Sequence, residues 1–262
     1  MHKILLPVLL FISSYLFAQD KIRLVEAGPL FSYRTVVDQG MSPLRYSGPS
    51  GGMWLGHYKY KAGITETFRL MGLFGQAQPG NKASTATQFH LQFDYALLAD
   101  IDSWSTAKRN TQLGGSWLTM AGMREHTGYA NNNFNFEVAT SPAVCLQSQW
   151  GLRFFARDWW LIGQLHIPVV GATLRPAFAY GGPDGFYNDE DGYVQQLLQS
   201  TRIASWGSFQ RLLTTWALQY PLKNGNRVGL VYQWDFYRLT NEPANPVASG
   251  SHTLSLVTYF NY

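Results

Sequence analysis

Apolar and polar residues alternate in several stretches of this chain, so that every second side chain falls on the same face. The clearest stretch covers residues 88–97, where Phe89, Leu91, Phe93, Tyr95 and Leu97 alternate with Gln88, His90, Gln92, Asp94 and Ala96. A period of two residues is typical of a β-strand with one apolar and one polar face.

The same alternation recurs along most of the chain and predicts an all-β protein. Pro142 and Pro168 favour breaks between strands, because proline cannot donate a hydrogen bond to a strand ladder. With those breaks we expect about twelve strands; without them, residues 134–156 and 158–180 form one long strand each and the number is ten. The twelve predicted strands are residues 24–35, 50–61, 65–77, 86–99, 112–125, 134–140, 143–156, 158–168, 171–180, 208–221, 227–239 and 251–262.

The predicted connections divide into short turns and longer loops. Short turns are expected at Ala62-Gly63, at Arg157-Asp158 and at residues 223–226, where Asn-Gly is a strong signal for a hairpin. The longer connections are rich in Gly, Pro, Asn and Ser, which is typical of loops. These predicted loops are residues 37–49, 78–84, 124–133, 181–207 and 240–250.

The composition turns this all-β pattern into a membrane prediction. The chain is 15% aromatic and only 14% charged, whereas a soluble domain is about 25% charged. In hydrocarbon a sheet must close on itself, with apolar side chains outside and polar ones inside. We therefore predict a transmembrane antiparallel β-barrel, with aromatic girdles at the two membrane interfaces. The candidate girdle residues are Trp54, Tyr58, Tyr60, Trp159, Trp160, Trp234 and Tyr237.

The first residues have the features of an export signal. Lys3 is followed by an apolar run at residues 4–12 and by a plausible cleavage position after Ala18. We expect residues 1–18 to be a signal peptide and residues 19–262 to form one barrel in the outer membrane. Cys145 is the only cysteine, so no disulfide is expected, and the small excess of 20 basic over 16 acidic residues does not indicate nucleic-acid binding.

Short segments resemble known outer-membrane proteins. Leu254, Leu256 and Phe260 share a face that ends at Tyr262, which resembles the C-terminal recognition signal of outer-membrane barrels. Residues 16–19 (LFAQ) look like the end of a Bacteroidota export signal. Residues 40–44 (GMSPL), residues 167–169 (IPV) and Arg175-Pro176 are similar to uncharacterised Bacteroidota outer-membrane barrels. Some of those barrels look like companions of TonB-dependent receptors, which implies an outer-membrane complex as a partner.

By the same alternation, charged residues point into the barrel. Basic groups outnumber acids among them, so an open barrel would favour small anionic or neutral solutes. In a closed barrel these charges would pair and fill the interior. We expect a small-solute pore or an accessory subunit of an outer-membrane complex, with lipid and lipopolysaccharide around it. The predicted inner residues are Glu26, Arg34, His57, Lys59, Arg69, His90, Asp94, Arg153, His166, Arg175, Arg227 and Asp235.

Enzymatic chemistry has weaker support, and we expect neither an enzyme nor a cofactor. The alternative is a lipid hydrolase at the rim of the barrel, for which the outward His252 lies near Ser251 and Ser255. A protease of the barrel type would need acids with a histidine, as at Glu125-His126. One predicted external loop is acidic and is either solvated or a weak divalent-cation site; its acids are Asp184, Asp189, Glu190 and Asp191.

Overall fold

The computed structural model describes residues 22–106, 108–126, 128, 132–154, 156–176, 179, 200–241 and 245–262. The expected signal peptide and the acidic loop of residues 184–191 lie outside these ranges. Within them, no helix is long and apolar enough to cross a bilayer. The described elements are a 3₁₀ turn at Asp102–Trp104 and the strands β1 (Ile22–Asp38), β2 (Ser42–Lys61), β3 (Ile64–Pro79), β4 (Ala86–Asp100), β5 (Arg109–His126), β6 (Phe134–Phe154), β7 (Arg157–Pro168), β8 (Val170–Leu174), β9 (Thr201–Ser205), β10 (Phe209–Pro221), β11 (Arg227–Leu239) and β12 (Val247–Asn261).

Ten of these strands form a closed antiparallel barrel. Each wall strand pairs with its neighbours in the ring, which runs from β1 through β7 to β10, β11 and β12. The ring closes where β1 pairs with β12, from Leu24 opposite Asn261 to Asp38 opposite Val247. Strands β8 and β9 form a hairpin outside the ring, attached to β6. The predicted transmembrane barrel is confirmed, and its wall has the ten strands of the second alternative.

Pro142 does not break a strand, contrary to our expectation, because β6 runs through it. The carbonyl of Pro142 accepts a hydrogen bond from the amide of Val169 at 3.2 Å. The amide and carbonyl of one residue face the same neighbouring strand in an antiparallel pair. The backbone nitrogen of Pro142, which carries no hydrogen, therefore faces the step between Pro168 and Val170. The ladder is already interrupted at this step, because β7 ends and β8 begins there.

Two predicted connections differ from the structure. The predicted loop at residues 37–49 is mostly strand, because β1 extends to Asp38 and β2 starts at Ser42, which leaves only a tight turn. The turn predicted at Arg157-Asp158 lies earlier, because Ala156 is a turn residue with a positive φ of 58° and β7 already starts at Arg157. We call the end of the barrel at which β1, β3, β5 and β11 terminate the loop end, and the opposite end the turn end.

The outer face of the wall is apolar, as the sequence predicts. Large hydrophobic side chains point outwards from every part of the ring, including Phe74, which is 62% exposed, and Leu256, which is 63% exposed. Other members of this outer face are Phe31, Met53, Leu91, Trp117, Val144, Trp216, Leu230 and Leu254. Apolar surface of this extent and continuity is typical of a protein in lipid.

In β2 the predicted faces are reversed. Trp54 is 2% exposed and points inwards, where its Nε1 donates to Glu26 Oε2 at 3.0 Å. His57 and Lys59 therefore lie on the outer face, and His57 Nε2 is 2.8 Å from the hydroxyl of Tyr262. Glycines occupy both faces between Gly48 and Gly56, so the alternation was ambiguous here. The predicted girdle residues Tyr58 and Tyr60 share this inward face, where the hydroxyl of Tyr60 donates to Asp100 Oδ2 at 2.9 Å, and Tyr237 also lies inside.

Replacing Leu256 by Arg should destabilise the folded barrel by about 2–4 kcal/mol, because its side chain lies on the outer face near the middle of β12 and would meet hydrocarbon. Phe154→Arg, at the turn-end terminus of β6, should cost only about 0–1 kcal/mol. Urea titration of the barrel in lipid vesicles measures both values. Equal costs for the two variants would contradict the assigned lipid-facing belt.

Candidate functional site

Polar side chains fill the barrel interior at three levels. We call them the loop-end cluster (Asp38, Arg124, Asn135, Glu137, Arg175, Tyr237 and Asn245), the middle cluster (Arg34, His90, Gln92, Asp94, Arg211, Gln233 and Asp235) and the turn-end cluster (Glu26, Trp54, Arg69, Gln164 and Arg227). The wall strands place these residues because every second side chain of a strand faces the lumen. Each cluster contains groups from different sides of the ring.

The loop-end cluster is a buried set of two arginines and two carboxylates. Arg124 Nε donates to Asp38 Oδ2 at 2.7 Å, and its two terminal nitrogens contact the carboxylate of Glu137. Arg175 binds the same two acids, at 2.6 Å to Asp38 Oδ1 and 3.0 Å to Glu137 Oε2. Tyr237 donates its hydroxyl proton to Glu137 Oε1 at 2.6 Å. The two positive and two negative charges balance within the cluster.

Amide side chains and glycines complete this cluster. Asn135 Nδ2 lies 3.1 Å from both Asp38 Oδ1 and Asn245 Oδ1, and Arg175 Nε donates to the backbone carbonyl of Asn245 at 2.6 Å. A side chain at Gly40 would come within 1.7 Å of Asn245 Oδ1, and one at Gly122 within 2.2 Å of Glu137 Oε1. These two glycines are therefore required for the close packing of the polar groups.

The middle cluster bridges opposite walls. Arg211 and Asp235 form a two-point ion pair at 2.9 and 3.1 Å. Gln233 on β11 donates to Gln92 on β4 at 3.2 Å, although these strands lie five positions apart in the ring of ten. Gln92 in turn donates to Asp94 Oδ2 at 2.8 Å. Direct side-chain bonds therefore cross the lumen at this level.

Several polar atoms of the middle cluster have no hydrogen-bond partner among the described atoms. They include Arg34 Nη2, Asp94 Oδ1 and both ring nitrogens of His90. Among the described atoms, the Arg34 guanidinium forms one hydrogen bond, which it donates from Nη1 to the neutral hydroxyl of Ser249 at 3.3 Å. Buried charged groups normally have charged or hydrogen-bonding partners, so this part of the lumen is incompletely paired in the present arrangement.

The turn-end cluster is built around Arg69. Its Nη1 donates to Gln164 Oε1 at 2.5 Å across the barrel, its Nε is 3.5 Å from Glu26 Oε2, and the guanidinium lies 5.5 Å from the ring centre of Trp54. The recess beside it, which Arg227 also lines, has room for about one water molecule. This level is therefore nearly filled by side chains.

His166 occupies a separate buried position. Its Nδ1 is 2.9 Å from Ser116 Oγ and its Nε2 is 3.8 Å from Cys145 Sγ. The two contacts engage both ring nitrogens, and all three side chains are buried. A substrate would have no access to this group in the closed barrel, so it is a packing arrangement.

The structure brings most of the predicted inner residues into these clusters, with four exceptions, of which His166 is still buried inside the barrel at the separate position described above. His57 and Lys59 point outwards, and Lys59 pairs with Glu66 at 2.8 Å. Arg153 is exposed at the turn end next to the end of β6. The inner residues that we missed are Asp38, Arg124, Glu137 and Arg211. Asp38 lies in a predicted loop and Arg124 lies where the predicted strand 112–125 overlaps the predicted loop 124–133, whereas alternation within residues 134–140 and 208–221 could have identified Glu137 and Arg211.

The candidate enzymatic groups are separated by the wall. Ser251 and Ser255 face the lumen, whereas His252 faces outwards and its Nδ1 contacts the hydroxyl of Tyr232 at 2.7 Å. Glu125 is exposed and His126 is buried inside against the ring of Tyr46. Neither pair can act on one substrate. Among the described residues there is also no group of three or more potential metal ligands.

Comparisons with solved structures agree with this geometry. The outer membrane protease OmpT from Escherichia coli matches with a TM-score of 0.52 at 9% sequence identity, over 94% of this chain and 98% of that chain. The translocator domain of autotransporter NalP from Neisseria meningitidis matches with a TM-score of 0.42 at 11% identity, over 95% and 93% of the chains. The fold is that of an outer-membrane β-barrel. Together with the apolar outer face, it places the protein in the outer membrane.

At the level of sequence, no protein-family model and no curated protein matches the chain. The structural likeness at such low identity concerns the fold alone, because one barrel architecture hosts pores, enzymes and adhesins.

Glu137→Gln should destabilise the protein by about 3–5 kcal/mol, because it leaves two buried guanidiniums with one carboxylate. The matched control is Glu66→Gln, which removes a half-exposed ion pair with Lys59 and should cost about 0–1 kcal/mol. Denaturant unfolding in detergent measures both. A cost for Glu137→Gln no greater than that of the control would show that the loop-end cluster contributes little.

Proposed function

We propose that the protein is a closed outer-membrane barrel that serves as an accessory subunit of an outer-membrane complex. The observation that carries the proposal is the loop-end cluster, in which buried side chains from β1, β5, β6 and β11 meet across the lumen. Ions or solutes passing along the axis would have to displace Glu137 and Arg175, both of which are 0% exposed. Separating such buried partners is costly, so the resting barrel is closed.

The same cluster fixes the connections at the loop end. Asp38 adjoins the β1–β2 turn, Arg124 and Asn135 flank the β5–β6 loop, Arg175 follows β8, and Asn245 lies between β11 and β12. Loops that are tied to a rigid scaffold are well suited to recognition, because little conformational entropy is lost when they bind. The cluster therefore supports a role in presenting a fixed loop surface to a partner.

The resemblance of residues 40–44 and 167–169 to Bacteroidota barrels supports a TonB-dependent receptor as that partner. Residues 40–44 belong to the β1–β2 turn and the start of β2, and residues 167–169 to the step between β7 and β8. The first segment lies at the loop end, next to the loop-end cluster. A receptor that contacted this end would meet loops already held in place.

The wild-type protein should give no conductance steps in planar bilayers, because its interior side chains bond across the lumen at three levels. Extraction of native membranes in a mild detergent should recover it with a receptor-type barrel protein as a stable complex. Regular single-channel steps, or an isolated barrel in the native extract, would contradict the accessory role.

A small-solute pore is the second candidate, and the incomplete pairing of the middle cluster favours it. Arg34, His90 and Asp94 would be better solvated if water entered the lumen. On this alternative the loop-end cluster is a gate, and opening it hydrates the middle cluster. The lumen charges would then set selectivity.

Arg175→Ala removes the group that ties the connection after β8 to Asp38, Glu137 and Asn245. If the barrel is a gated pore, this variant should produce conductance steps that the wild type lacks, and adding Arg34→Glu should reduce its preference for anions. Planar-bilayer recordings with reversal potentials measure both effects. A correctly folded Arg175→Ala barrel that stays silent would exclude this gate.

A further inference from the structure

A basic groove lies on the outside of the wall at the loop end. It has a volume of about 750 Å³ and lies between the start of β2 and the β3–β4 loop. Its lining includes Tyr33, Leu44, Arg45, Gln78, Asn81 and Lys82. We use the name basic groove for this site. It is separate from the three clusters inside the barrel, because Tyr33 and Arg45 lie on outward positions of their strands.

The groove is basic and its loop has a defined shape. Arg45 and Lys82 are exposed, and within the described part of the chain neither forms an ion pair with a carboxylate. Lys82 has a positive φ of 53°, and its amide donates to the carbonyl of Pro79 at 2.8 Å. Asn81 Oδ1 accepts from the amide of Ala83 at 3.2 Å. These bonds fix the backbone of the β3–β4 loop at the edge of the groove, where Lys82 lies.

On the outer face of the wall next to the groove, the side chains change from polar to apolar with increasing distance from the loop end. Tyr33 lies opposite His252, and the outward pair of His252 and Tyr232 continues this polar aromatic level on the neighbouring strands. Such rings mark the membrane interface. One step further from the loop end, Phe31 lies opposite Gly51 and Gly51 opposite Phe74.

Gly51 makes a shallow furrow in that apolar level. Phe31 is 58% exposed and Phe74 62% exposed, while a side chain at Gly51 would meet nothing within 4 Å. From Gly51 to Arg45 the strand rises by roughly 20 Å, since a strand rises about 3.3 Å per residue. With the usual tilt of barrel strands, this is about 15 Å along the membrane normal. An acyl chain in the furrow would place its headgroup at the basic groove.

We propose that the basic groove binds a phosphorylated glycolipid of the outer leaflet, with its phosphates at Arg45 and Lys82 and an acyl chain in the furrow at Gly51. Two cations that have no acid partner among the described residues complement phosphate groups. The amides of Gln78 and Asn81 supply hydrogen bonds of the kind that sugar hydroxyls accept and donate. The loop end faces this leaflet, because barrels of this class carry their longer connections outside.

Native mass spectrometry of the detergent-solubilised full-length barrel tests the site with three probes. These are bis-phosphorylated lipid A, the same lipid A without its phosphates, and phosphatidylglycerol. The wild type should retain bis-phosphorylated lipid A at least about tenfold more tightly than either other lipid. Arg45→Ala combined with Lys82→Ala should remove this preference.

The matched control combines Lys61→Ala with Lys223→Ala, which removes two exposed lysines at the turn end and should leave lipid A binding unchanged. A difference in gel mobility between unheated and heated samples confirms that both double variants are folded. Unchanged binding by the Arg45/Lys82 double variant, or equal binding of dephosphorylated lipid A, would overturn the site. Equal retention of phosphatidylglycerol would overturn the assignment to a glycolipid, since it would indicate attraction to any anionic lipid.

Discussion

The structure depends on the pairing of its first and last strands. In hydrocarbon every backbone amide and carbonyl needs a partner within the protein. The register of β1 against β12 provides this from Leu24 to Asp38, so the sheet has no free edge in the ring. Once the sheet is closed, its two faces have opposite requirements: the outer face meets lipid, and the inner face encloses polar groups away from bulk water.

The inner face meets this requirement by pairing charges across the lumen. Asp38, Glu137, Arg124 and Arg175 satisfy one another at the loop end, and Glu26 and Arg69 meet near the turn end. Buried ion pairs contribute little net stability when compared with apolar packing, but breaking one is costly. Their effect here is to fix which strands and loops meet inside the barrel, and therefore to hold the interior in one arrangement.

Alternation along the chain predicted the all-β fold, the outer apolar face and most of the inner residues, because a strand in a barrel wall has a strict period of two. The pattern failed where it carried little information. Glycines between Gly48 and Gly56 concealed which face Trp54 occupies. Pro142 looked like a break because sequence alone does not show which neighbour its missing amide faces. The partners of Arg124 and Glu137 were also beyond prediction, since contacts across the lumen depend on the register of all ten strands.

Closure by β1 and β12 has a consequence for biogenesis. Until β12 is in place, β1 and β11 each present an open edge with a row of unsatisfied donors and acceptors, and such edges pair readily with other chains. The wall therefore cannot be completed during synthesis, because β1 pairs with β12 and β12 is made last. A chain in transit across the periplasm must be shielded over its entire length, and insertion into the membrane and ring closure become coupled events.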